Sequence, residues 1–253
     1  MLPIVPAEPD TAVAQAPPLP PADRPLPTWR AWAEIVLCSG YPTQIMLGAA
    51  LTDAGLSPLT AEGSLSAPFV FALSLADTGV VVGLILWLLI SNGERPRDVF
   101  LGGRRPGEEA VVGLLSVPFV VALVLALSLL IRVFVPFLHN VPDNPLEGLL
   151  GTQAGVWAFL VVVIVAGGLR EELQRAFLLH RFRRDLGHAG AGLAITSIAF
   201  GLGHTLQGWD AAILTAALGA TWGLMYLTRR SAIAPIVSHS LFNTGELLRA
   251  FLR

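Results

Sequence analysis

The chain has 253 residues, of which 54% are hydrophobic and 13% are charged, about half the charge of an average soluble domain. All 16 basic residues are Arg, the formal net charge is −2, and Cys38 is the only cysteine. These values exclude a disordered chain, a nucleic-acid binder with a basic surface and a disulfide scaffold, and they point to an all-α polytopic membrane protein.

Residues 1–28 hold nine of the 19 prolines and show no apolar period. Such a segment cannot bury enough surface to offset chain entropy, so it is predicted to be a disordered tail. It lacks the basic and continuously apolar regions of a signal peptide. The transmembrane domain is then 29–253. Apolar blocks follow at 35–52, 67–90, 110–131 and 149–169. The three longest each suffice to cross about 30 Å of hydrocarbon. Weaker blocks lie at 189–208, 211–228 and 232–248, and their polar residues predict spans shielded by other helices. The expected architecture is a helical bundle of about seven spans.

Arginine placement supports that count. Arg24 and Arg30 precede the first block. Arg95, Arg97, Arg104 and Arg105 follow the second; Arg181, Arg183 and Arg184 follow the fourth; Arg229 and Arg230 follow the sixth. Loops 53–66, 138–148 and 207–210 contain no basic residue. This alternation predicts a cytoplasmic N-terminus and an external C-terminus. The Arg-only basic set points to a GC-rich, bacterial genome, and so to an inner (cytoplasmic) membrane.

Ionisable residues in apolar sequence carry most of the functional signal, because each costs at least about 2.5 kcal/mol to insert. The densest cluster, Arg170-Glu171-Glu172-Leu173-Gln174-Arg175, continues the fourth block as one long helix. Glu171 and Arg175 share a face at i,i+4, and Glu172 lies about 100° round. One glutamate can pair with Arg175 while the other points into the bundle as a general base. His204 ends the sequence Phe200-Gly-Leu-Gly-His204. His239 and Asn243, at i,i+4 in the last block, face the same way, which suits metal ligation or donation to an oxyanion. The alternative for each residue taken alone is structural: a headgroup-level charge cluster, a histidine at a span edge, an interhelical hydrogen-bonded pair. One shared polar site explains all of them together. Elsewhere, Asp77 reads as structural, paired with an arginine, with lining of the cavity as the alternative. His180 and His188 read as surface residues beside the basic loop. His139 reads as part of a turn, and Trp29, Trp32 and Trp209 as interfacial anchors.

The ordered set Glu171-Glu172…Arg175, Phe200…His204 and His239…Asn243 resembles the EExxxR, FxxxH and HxxxN motifs of the CPBP family of intramembrane proteases. That family includes the Rce-type CAAX prenyl endopeptidases and the bacterial Abi proteins. The resemblance covers roughly 110–250 and implies a metallo- or glutamate-type endopeptidase. Its substrate would be a peptide or protein with a membrane-embedded or C-terminal segment, met in the lipid bilayer. Glu171 or Glu172 would activate water with help from His204, and Arg175 would orient the glutamate pair. His239 and Asn243 would stabilise the oxyanion. A divalent metal such as zinc, on His204 and His239 with Glu171 or Glu172, is the other implied arrangement. The first motif departs from the family pattern: Arg175 comes four residues after Glu171, one short. That irregularity motivates the alternative of a non-catalytic membrane scaffold or immunity-type protein of the same fold.

Overall fold

The computed structural model describes residues 24–252. Positions 1–23 of the expected tail lie outside the described residues. The described part of that tail, 24–27, leads directly into the bundle, where the Leu26 amide donates to Asp185 at 3.0 Å.

The described residues form α1 (Thr28–Leu37), α2 (Tyr41–Asp53), α3 (Ala67–Ser91), a short α4 (Pro96–Phe100) and α5 (Pro106–Phe134). Then come α6 (Gln153–Val162), a π-helical stretch (Val163–Arg170), α7 (Glu171–Arg184), α8 (Ala189–Leu202), α9 (Trp209–Arg229) and α10 (Ile233–Phe251). No β-strand occurs among the described residues; a single bridge, Leu59 with Leu65, pins the loop after α2.

The architecture is the all-α membrane bundle expected, with fewer spans than seven. Four helical units are long and apolar enough to cross a bilayer: α3, α5, the continuous unit Gln153–Arg184, and α9. Counting the α1–α2 pair, bent by 40°, gives five. α8 has 14 residues, which spans only about 21 Å. α10 has the length but carries His239, Asn243, Glu246 and Arg249, which lower its hydropathy. The apolar flank of α5, including Leu115, Phe119, Leu125, Leu129 and Phe134, is exposed on the outside of the bundle. It is the surface an integral membrane protein offers to lipid.

The seven apolar blocks nevertheless run back and forth between two ends, and the ends differ in chemistry. At one end the four arginine-bearing segments meet. Arg30 bonds Asn92 and Glu34, and Arg181 and Arg184 pair with Glu94. Arg104 Nε donates to the Arg229 carbonyl at 3.2 Å, and Arg229 grips Glu109 through two bonds of 2.7 and 2.8 Å. At the opposite end the arginine-free loops meet. His139 Nδ1 lies 2.6 Å from Asp210, and Asn140 accepts from the Trp209 amide at 2.9 Å. His139 is therefore a tie between loops as well as a turn residue.

The Arg-rich stretch 181–184 corrects two expectations. It is the last turn of α7, not a solvated loop, and Arg181 is fully buried. Arg181 binds Glu34 at 2.8 Å, Glu94 at 2.5 Å and Asp185 at 3.2 Å. His180, expected at the surface, is buried with Nε2 2.5 Å from Glu94; His188 is exposed as expected. A buried guanidinium needs carboxylates on all sides to offset desolvation, and distant segments supply them. Asp77 behaves as predicted. It is buried, accepts from Thr43 Oγ1 at 2.5 Å, and pairs with Arg170.

Glu94 lies between α3 and α4, outside the spanning segments. Burial opposes its charge, but the His180 hydrogen bond and the Arg181 guanidinium outweigh burial and hold the carboxyl down to about 2. A carboxyl depressed in the folded state stabilises the fold above its usual value of 4.5 and loses that contribution as pH falls toward about 2. The thermal midpoint in detergent should therefore fall between pH 5 and pH 3 (roughly the window between the two values), and Glu94→Gln should flatten the fall. An equal fall in both proteins would show that other groups control acid stability.

Candidate active site

The site is built where the π-helical stretch meets α7, α8, α9 and α10. The sequence Val163-Ile-Val-Ala-Gly-Gly-Leu-Arg170 widens the helix by one residue per turn just before the glutamate pair, a form that concentrates at functional sites. Its two glycines let α10 approach. A Cβ on Gly168 would lie 2.9 Å from Ser240 Cβ, and one on Gly167 would lie 2.7 Å from Asn243 Nδ2. The helix bearing His239 and Asn243 is thus seated on a surface without side chains. Gly168→Ala should displace α10 and cost about 1–3 kcal/mol, the usual range for overpacking. Thermal unfolding would read the loss, and an unchanged midpoint would mean that the contact relaxes freely.

Behind the cavity runs a buried chain of charge. Glu172 pairs with Arg175 and accepts from His239 Nδ1–H at 2.8 Å. Arg175 lies over the Phe200 ring, 4.5 Å from its centroid, and both Glu172 and Arg175 are buried. Arg175 therefore holds Glu172 at i,i+3, and not Glu171 at i,i+4. The shortened first motif keeps its ion pair because residues three apart also share a helical face.

Glu171 differs from its neighbour. Its side chain is 22% exposed, and Oε2 lies 3.8 Å from His239 Nε2, beyond hydrogen-bond range. Just before it, Arg170 is tied to Asp77 and to Gln174, which in turn donates to the Cys38 carbonyl at 2.7 Å. These bonds fix the backbone that carries Glu171 against α3 and the α1–α2 bend.

His204 lies just beyond the end of α8 and not within it. Its Nδ1 is 2.8 Å from the Phe200 carbonyl. A carbonyl only accepts, so Nδ1 carries the proton and Nε2 presents its lone pair when the ring is neutral.

Two cavities meet at these residues. One, of about 410 Å³, is lined by Glu171, His204, His239 and Asn243 together with apolar residues of α3, α5, α6 and α9. The other, of about 340 Å³, lies among α1, α2, α7 and α8. Glu171, Phe200, His204, Gln207 and Leu146 line both. Four of the six sequence-predicted site residues thus share one cavity, while Arg175 lines the other and Glu172 stands behind both. Apart from Phe200, which the FxxxH pattern contains, the remaining contributors carry no sequence signal. Gln207 and Leu146 sit in loops, and Trp222 reads as an ordinary core aromatic in an apolar block.

No group of three or more His, Cys, Asp or Glu side chains positioned to hold an ion occurs among the described residues. His239 Nδ1 is bonded to Glu172, which leaves Nε2 as the ring nitrogen that an ion would meet.

Residues 152–245 match the family model described as type II CAAX prenyl endopeptidase Rce1-like. No curated protein and no solved structure gives a significant match. The matched stretch begins just before α6 and ends within α10, so it contains both glutamates, both histidines and Asn243. The similarity to the Rce1-like type II CAAX prenyl endopeptidase model thus covers 94 of the 253 residues, the stretch that carries the candidate site.

Proposed function

We propose that the protein is an intramembrane endopeptidase in which Glu171 activates water. The observation that carries this reading is the shared cavity. One partly exposed carboxylate, one histidine with a free Nε2 and one carboxamide line it, and a second, buried carboxylate fixes the neighbouring His239.

The chemistry follows from those roles. Water bound between Glu171 and His204 Nε2 gives a proton to Glu171 as its oxygen adds to the substrate's carbonyl carbon. The carbonyl oxygen becomes an oxyanion, to which Asn243 Nδ2–H donates, with His239 beside it. When the C–N bond breaks, the proton held by Glu171 passes to the leaving nitrogen. Glu172 takes no part in the transfer; bonded to Arg175 and His239, it holds the histidine ring in place. A divalent ion such as zinc would be held by His204, His239 and a glutamate and would polarise the same carbonyl.

The substrate is a membrane-associated peptide. The family description makes a prenylated C-terminal peptide the first to try, beside an unmodified peptide of the same sequence. Alanine at His204 or Asn243 should lower kcat for cleavage in proteoliposomes by about 10²-fold or more, the usual effect of removing a base partner or an oxyanion donor. Full activity in both variants would remove these two residues from the mechanism.

A further inference from the structure

The ring of His239 is held from a direction that none of the three motifs supplies. Trp222 of α9 is fully buried, and its indole stacks on the imidazole with centroids 3.8 Å apart and planes 17° from parallel. Phe200 meets the same imidazole edge-on, with centroids 6.2 Å apart. The indole is itself fixed in plane. Its Nε1–H donates to Ser238 Oγ at 3.1 Å, and the Ser238 and Ser116 hydroxyls lie 2.9 Å apart. Ser116 Oγ also lies 2.7 Å from the Gly113 carbonyl. Ser116 has one hydroxyl proton, which can go to Ser238 Oγ or to the Gly113 carbonyl; either way the contacts run from Trp222 through Ser238 to Ser116 on α5. The Gly113 carbonyl sits where α5 and α10 touch most closely, with Ala234 O 2.5 Å from the position of a Cβ on Gly113.

We propose that Trp222 is a positioning residue of the active site. Its ring face, locked through Ser238 and Ser116 to α5, sets the plane of His239, so that Nδ1 meets Glu172 while Nε2 faces Glu171. The inference rests on the protease reading above and adds a fourth helix to the machinery. The hydrogen bond to Glu172 alone fixes one ring atom and leaves rotation about that bond. A parallel aromatic face removes the rotation at little entropic cost, because the indole has no free torsion once Nε1 is bonded.

The test compares Trp222→Leu, which removes the ring face, with Trp222→Phe, which keeps an aromatic face. A third variant, Trp157→Leu, changes an exposed α6 residue and serves as control. Trp222→Leu should lower kcat about 30- to 100-fold per folded molecule with KM within about twofold, as expected for a misplaced catalytic group. Trp222→Phe should restore kcat to within about fivefold of the starting protein. Equal kcat per folded molecule in Trp222→Leu, with loss only in folded yield, would overturn the proposal and leave Trp222 a core residue. A readout independent of activity is the double-mutant cycle of Trp222→Leu and His239→Leu on the thermal midpoint. Non-additive shifts support the stack, and additive shifts overturn it. A wild-type protein that cleaves neither peptide overturns the protease reading itself, and the cycle then decides the ring contact alone.

Discussion

Glu171→Gln should lower kcat for peptide cleavage by about 10²- to 10⁴-fold, the range that a lost general base costs, while the thermal midpoint stays near that of the starting protein. Glutamine keeps the shape and the hydrogen-bonding reach of the side chain but cannot take a proton from water. The side chain is 22% exposed to the cavity and lies 3.8 Å from His239 Nε2, so the fold leans on it little. The adjacent Glu172→Gln should behave differently. Its carboxylate is bonded to both Arg175 and His239 and is buried. Removing one partner of such a pair leaves a buried guanidinium uncompensated and costs about 3–5 kcal/mol. Two neighbouring glutamates thus separate: one substitution removes activity alone, and the other removes stability and activity together. Kinetics and thermal unfolding on both variants decide this. A large loss of stability in Glu171→Gln with none in Glu172→Gln would reverse the assignment.

The largest effect on stability should come from Arg181→Met. The guanidinium is fully buried and serves Glu34, Glu94 and Asp185. Methionine fills much of the space but leaves three carboxylates with one cation fewer, and breaking a buried pair in this way typically costs about 3–5 kcal/mol. Arg181 is ten residues along α7 from Glu171, roughly 15 Å at the helical rise. Activity per folded molecule should therefore change little. Unfolding in detergent measures the first effect and kcat the second. A midpoint within error of the starting protein would show that the cluster takes up water or protons in place of the arginine.

The contrast between these positions explains what could be read before the fold was known. Glu171, Glu172, His204, His239 and Asn243 stood out because each interrupts apolar sequence, and a polar group at that depth needs a reason. The long helical unit Gln153–Arg184 was legible from the apolar run at 149–169 and its continuation past the charged cluster, and the paired ends of the bundle from alternating arginines. Arg181 and His180 were misread because their surroundings in sequence are basic. Their carboxylate partners lie far away, Glu34 147 residues and Glu94 87 residues from Arg181. Composition reports that a stretch is charged, not whether distant acids will enclose it. The expected count of about seven exceeds the four or five long apolar helices for a related reason. A short helix such as α8, or a polar one such as α10, packs between the ends of the bundle without itself being apolar over a bilayer's thickness. The glutamate that pairs with Arg175 depended on a choice between i,i+3 and i,i+4, which helical periodicity alone does not make. Trp222 stayed hidden because a tryptophan among Ala, Leu and Gly looks like core until the ring it stacks on is known.

The central claim is that this site hydrolyses a peptide bond with Glu171 as the base. The most direct test is mass spectrometry of prenylated and unmodified C-terminal peptides incubated in H₂¹⁸O with the purified full-length protein in proteoliposomes. The account predicts a new C-terminus bearing one solvent-derived ¹⁸O with the native protein, and none above background with Glu171→Gln. Equal product from both proteins, or intact peptide throughout with the native one, would contradict it.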